Sequence, residues 1–160
     1  MSFYPTIMTL HIICAGIWLV TFFTDTIFKN KIKSSFDKPD KQLISLYLKF
    51  GNLFGSIGSL GILLTGIILV SLNPGYGFFD MTSNHWLATK QIIMVVILIL
   101  IFAQIIPTAK KLRSEIENNL KENSNEDLKT NLNKMFKVTA SVNGLVVLNL
   151  LLALTHRFIG

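Results

Sequence analysis

Apolar and polar positions in this chain separate into long blocks instead of alternating residue by residue. Four blocks, at about 4–28, 50–72, 86–109 and 135–158, carry almost no charge. Each is long enough to cross a bilayer, which takes about 20 apolar residues per helix. The pattern predicts an all-α, integral membrane four-helix bundle that forms a single transmembrane domain over 1–160. Mostly short connections predict an up-down-up-down course. The one sizeable polar piece is 110–134, where Leu112, Ile116 and Leu120 recur at helical spacing before "ENSNED". It predicts that the third and fourth helices extend beyond the membrane as a polar cytoplasmic hairpin.

Charge gives this arrangement a direction. Of the 15 Lys and Arg residues, all but Lys90 and Arg157 lie within 29–49 and 110–137. The middle loop "NPGYGFFDMTSNH" has none. The positive-inside rule places the two basic segments in the cytoplasm. Both termini, and His85 in the middle loop, are then expected outside a bacterial cytoplasmic membrane. The net charge of +6 follows from these flanks, so it reads as a topology signal and not as a nucleic-acid surface. No Lys or Arg precedes the first block and no small-residue cleavage site follows it, so a retained helix is expected.

Cys14 is the one cysteine. It excludes an intramolecular disulfide, and the absence of C-x-x-C-H excludes covalent c-type haem attachment. Motifs of the phosphate-loop, serine-nucleophile and zinc-protease kinds are absent.

Histidine is rare in a membrane helix, yet "HIICAGIWLV" opens with one. Counted from the basic flank at about 1.5 Å per residue, His11 lies roughly 27 Å above Lys29. The same count puts His156 roughly 28 Å above Lys137 and Lys90 roughly 30 Å above Lys110. Three helices thus bring a polar group to one layer, with His85 just above it beside Trp86. His11, Ala15, Trp18, Phe22 and Asp25 form one stripe. Lys90, Met94, Ile97, Ile101 and Gln104 form another, and Asn149 shares a face with His156. Polar groups in a membrane turn inward because lipid offers no hydrogen-bond partner. The second helix adds a face of Gly51, Gly55, Gly58, Gly61 and Gly66, which suits close helix packing or the approach of a flat cofactor.

Two inward imidazoles at matched depth point to a bound metal centre, because neutral imidazole is the commonest metal ligand. Haem b fits best, held without covalent bonds between His11 and His156, with His85 as the reserve ligand. Trp18, Phe22 and Gly66 would pack the macrocycle, and Lys90 or Arg157 would meet its propionates. Copper is the competing cofactor, through Met8, His11 and Cys14, whose soft ligands favour Cu(I). These three spread over a wide arc of helix and do not converge.

The first-helix "HIICAGIWLV", the second-helix "LLTGIILV" and the third-helix opening "HWLATK" together resemble small membrane proteins of the HemJ type and the related CopD-like proteins. The resemblance covers roughly residues 7–105. It implies a haem-binding bundle linked to protoporphyrinogen IX oxidation, or a role in copper handling. On it, His11 matches the haem histidine of the first helix, and Trp86 and Lys90 match a W-x-x-x-K motif. The polar segment after the third helix and His156 depart from that pattern, and arginines for porphyrin carboxylates are scarce.

The expected function is therefore a membrane b-type haem protein in electron transfer, an oxidoreductase component. Its partner would be a quinone or an external redox protein. The alternatives are a HemJ-like oxidase, a copper-handling protein and a non-catalytic assembly subunit. The small-residue faces also allow a homodimer.

Overall fold

The computed structural model describes residues 3–36, 39–117 and 124–159, and side chains within 3–36, 39–117 and 126–155. The described chain is all-helical: α1 (Tyr4–Ser34), α2 (Lys41–Leu72), α3 (His85–Leu100), α4 (Ile106–Glu117) and α5 (Ser124–Ile159). Four helices are long and apolar enough to cross a membrane: Tyr4–Ser34, Lys41–Leu72, His85–Glu117 and Glu126–Thr155. The third of these joins α3 to α4 through a single π-helical turn, Ile101–Ile105. There Ile106 donates its N–H to Ile101, a five-residue step. Pro107 follows at once; it has no N–H to give and so disturbs the ordinary four-residue ladder.

The helices run past the apolar blocks. α2 begins at Lys41, not near residue 50, because Asp40 caps it. The Asp40 carboxylate accepts from Gln42 N at 2.9 Å and Leu43 N at 3.1 Å, satisfying two of the free donors of the first turn. Behind the cap, Ile44, Tyr47 and Leu48 are buried. The spacing i, i+3, i+4 is that of an amphipathic helix, masked to a hydropathy scan by Lys41 and Lys49. α5 likewise already includes Ser124, inside the expected turn at "ENSNED"; residues 118–123 lie outside the described ones.

Packing is densest at the charged end of the molecule. Ile32, Ile44, Leu48, Leu112, Leu132 and Phe136 form the heart of one cluster. A second cluster, Trp18, Met94, Ile97 and Val142, sits further along the helices. α2 packs along α1, while α3 packs on α5. α2 meets the third spanning helix chiefly through α4, which leaves room between α2 and α3. Outward faces are apolar: Ile12, Phe23, Leu53, Leu64 and Phe102 are all more than half exposed. Several polar side chains point inward instead, among them Thr21, Asp25, Ser59, Thr65 and Asn143. That inversion is expected of a chain whose solvent is lipid.

The glycine face has a divided use. A Cβ on Gly58 would come within 2.8 Å of the Trp18 Cβ, and one on Gly61 would strike Cys14. Both therefore let α1 and α2 approach. Gly51 and Gly55 have nothing within 4 Å of a built Cβ; they border open space.

Candidate functional site

The polar groups gather at two cavities, one near each end of α1. The first, about 430 Å³, is walled by His11, Gly66, Trp86, Lys90, Met94 and Asn149, among others. Its size falls within the usual range for small-ligand sites. It lies where α2 and α3 stand apart.

His11 is fixed by Thr65. His11 Nδ1 and Thr65 Oγ1 are 2.7 Å apart, and Thr65 Oγ1 in turn donates its proton to the Gly61 carbonyl at 2.5 Å. With its own proton committed, the hydroxyl accepts, so Nδ1 of a neutral imidazole carries the N–H. Nε2 is then left with its lone pair. An outer hydrogen bond of this kind fixes a histidine's tautomer and ring orientation. Gly66 lies against the ring: a Cβ there would sit 3.6 Å from His11 Cε1, an ordinary van der Waals contact.

Lys90 is half-buried in the opposite wall. Its Nζ lies 5.5 Å from the centre of the Trp86 ring, a cation–π contact. Trp86 in turn packs edge-on against Tyr76 at 6.1 Å. Among the described residues no carboxylate lies within ion-pair distance of Lys90. Two further polar atoms in the wall lack a hydrogen-bond partner among the described residues, Gln91 Nε2 and Asn149 Oδ1. Buried polar atoms are nearly always paired, so a cavity with an unneutralised ammonium, a free amide donor and a free amide acceptor is chemically incomplete.

The middle loop roofs this cavity through Tyr76, Phe78 and Phe79. Phe79 has a positive φ of 56°, a strained conformation for an aromatic residue. It is held by its N–H, which donates to Gln91 Oε1 at 2.5 Å. Asp80 ties the loop together by accepting from the Ser83 hydroxyl and from Thr82 N at 2.9 Å. The Ser83 and Thr82 hydroxyls, then their backbone N–H groups, hold its carboxyl well below the usual carboxylate range.

The structure thus brings His11, Gly66, Trp86 and Lys90 together. It sets other candidates apart. Trp18 is buried against Gly58 and lines the second cavity instead, because the close α1–α2 contact claims its side chain. Phe22 is 40% exposed on the outer surface. His85 starts α3 with Nδ1 2.8 Å from the Met81 carbonyl oxygen, and it is exposed outside the cavity wall. The His156 and Arg157 side chains lie outside the described ones. Of the copper candidates, Met8 lines the cavity with His11, while Cys14 is buried against Gly61. No group of three or more His, Cys, Asp or Glu among the described residues could hold a metal ion. Thr65, Gln91 and the loop aromatics gave no signal in the sequence analysis; Thr65 sits seven residues after Gly58 on the glycine face, the one hint available.

The second cavity, about 280 Å³, is set between all four long helices at the other end of α1. Tyr47 donates its hydroxyl to Asp25 Oδ1 at 2.7 Å, and both residues are buried. Thr21, Ser59 and Asn143 add buried polar groups, and the π-helical turn supplies Ile101 and Ile105. Comparison of the chain with family models, curated proteins and solved structures gives no match.

Proposed function

We propose that the chain is an integral membrane b-type haem protein that serves electron transfer, with the His11 cavity as its haem site. One observation carries this reading: Thr65 presents His11 as a neutral ligand with a free Nε2, in a cavity whose wall holds an uncompensated Lys90 ammonium. The donor set fits the group. His11 would bind the iron, Lys90 and Gln91 Nε2 would meet propionate oxygens, and Gly66 would admit the flat macrocycle. Haem supplies one-electron chemistry to such a site. The residues do the rest. Thr65 sets the imidazole's tautomer, Lys90 balances negative charge, and the Tyr76–Phe79 roof excludes water.

In this reading the four spans run alternately across the membrane, with the basic segments in the cytoplasm and the His11 cavity near the outer surface. A further ligand to the iron would come from His156 or from Met94, which lines the same cavity from α3. The HemJ-type resemblance agrees with His11, Trp86 and Lys90 sharing one cavity. Porphyrinogen oxidation would need more cationic groups than Lys90 in that wall.

The test is the absorption spectrum of the purified protein after addition of haem. A sharp Soret band with low-spin visible bands is expected. His156→Ala or Met94→Leu, whichever removes the second ligand, should convert it to high-spin or lower retention. Lys90→Met should lower haem occupancy or shift the midpoint potential. A protein that takes up no haem at all overturns the proposal.

A further inference from the structure

The Asp25 cavity has no part in the reading above, yet it is the more heavily built of the two. A carboxylate within a membrane-spanning helix is expensive and marks a functional site by default. Asp25 is 7% exposed, and only Oδ1 has a described side-chain partner, Tyr47. One helical turn away, Phe28 packs against Tyr47 at 5.9 Å and Phe50 at 5.8 Å between ring centres. With Trp18 they give the cavity flat aromatic walls. Ser59 and Asn143, both buried, supply further hydrogen-bonding groups in the lining.

The cavity also has a door. Gly51, Asn52 and Ser56 of α2 line it and are exposed, as are Ile106 and Lys110 of α4. It therefore reaches the side of the bundle. The neighbouring outer surface is apolar, with Leu53 55% and Phe102 64% exposed. Asn52, Ser56 and Lys110 make the mouth itself polar, so it opens where apolar surface meets the charged end of the bundle, the place an amphipathic ligand takes. Gly51 and Gly55 border open space at this passage, since a Cβ at either would meet nothing within 4 Å.

We propose that the Asp25 cavity binds the head of a lipid-soluble quinol, with a quinol hydroxyl donating to the Asp25 carboxylate. A quinol head is flat, carries hydroxyls at opposite ends and trails an apolar tail. These features match the aromatic walls, the polar groups and the side opening. Tyr47 holds the carboxylate in place, and the hydroxyl-bearing form is preferred over the quinone because Asp25 accepts. This deepens the electron-transfer reading by giving its lipid-soluble partner a site, but binding itself needs no haem.

The experiment uses the haem-free protein in nanodiscs, in a Trp86→Phe background. The chain has two tryptophans, so Trp18, in the cavity wall, becomes the sole indole. Titration with 2-methyl-1,4-naphthoquinol under anaerobic conditions should quench Trp18 emission with saturation, and more tightly than the quinone does. Gly55→Leu, which fills the cavity, should weaken binding about tenfold or more. Asp25→Asn should weaken it several-fold, as loss of a charge-assisted hydrogen bond does, and Tyr47→Phe should weaken it less, because the carboxylate then loses its tether but keeps its bond to the ligand. If Asp25→Asn does not fold, Gly55→Leu and Tyr47→Phe carry the comparison. Quenching that never saturates and is equal in every variant reports quinol dissolved in the bilayer and overturns the proposal. So does saturable quenching that vanishes in His11→Ala but survives Gly55→Leu, which places the ligand in the other cavity. Haem uptake is measured separately, so either reading can fail alone.

Discussion

Thr65 shows what one hydroxyl contributes. It spends its proton on the Gly61 carbonyl and its lone pair on His11 Nδ1–H, and so decides which imidazole nitrogen faces a ligand. Thr65→Val keeps the shape and removes that bond. Haem affinity is expected to fall about 10–100-fold, the usual effect of losing an outer hydrogen bond to a ligating histidine; competition with a haem-scavenging apoprotein measures it. An unchanged affinity would mean that packing alone orients the ring. Asp80 is the second telling residue. Its folded carboxyl titrates below its ordinary range because Ser83 and Thr82 donate to the charged form. A depressed folded value stabilises the loop at every pH above the ordinary carboxylate range. The stabilisation fades as pH falls through that range towards the folded value. Amide exchange at Thr82 and Ser83 should therefore be slow and need no correction beyond intrinsic rates from pH 7 to about pH 5. It should accelerate in Asp80→Asn throughout. Equal protection in the variant would remove Asp80 as the tie of the roof.

At the scale of helices, the glycine face of α2 makes opposite predictions along its length. Gly58→Ala forces its new methyl against Trp18 and should destabilise the protein by about 1–3 kcal/mol, the usual cost of overpacking. Gly51→Ala meets only open space and should be neutral or stabilise by up to about 1 kcal/mol, through helix propensity. Thermal unfolding in detergent, followed by helical circular dichroism, ranks the pair; the reverse order would contradict the close approach of α1 and α2. The sequence made this face visible but not its division, because the partner of each glycine is set by how α1 lies against α2. The long apolar blocks were legible because lipid-facing surfaces need nearly continuous hydrophobicity. The first turns of α2 were not, since Lys41 and Lys49 interrupt a stretch whose inward face still buries Ile44, Tyr47 and Leu48. The π-helical turn left only Pro107 as a trace.

Over the whole molecule, two cavities occupy opposite ends of α1, separated by the cluster around Trp18. Depth counting found His11 and Lys90 together, because helical rise is regular. The inward stripe put Trp18 with His11, but that stripe spans residues 11–25 and passes both cavities, and Trp18 lines the second. Thr65 and the loop roof were invisible to depth counting, as both depend on contacts between elements distant in sequence. The orientation inferred from Lys and Arg makes a direct prediction: in a Cys14→Ser background, a cysteine at Asp80 should label in intact cells, and one at Lys110 only after permeabilisation. The opposite pattern would invert the bundle and place the His11 cavity on the cytoplasmic side. The central claim, that His11 binds haem iron through Nε2, is tested most directly by titrating haem into the haem-free protein and its His11→Ala variant side by side. The account predicts a saturable low-spin Soret spectrum at one haem per chain in the native protein, and its loss in a variant that remains helical. A native spectrum retained by His11→Ala would contradict it.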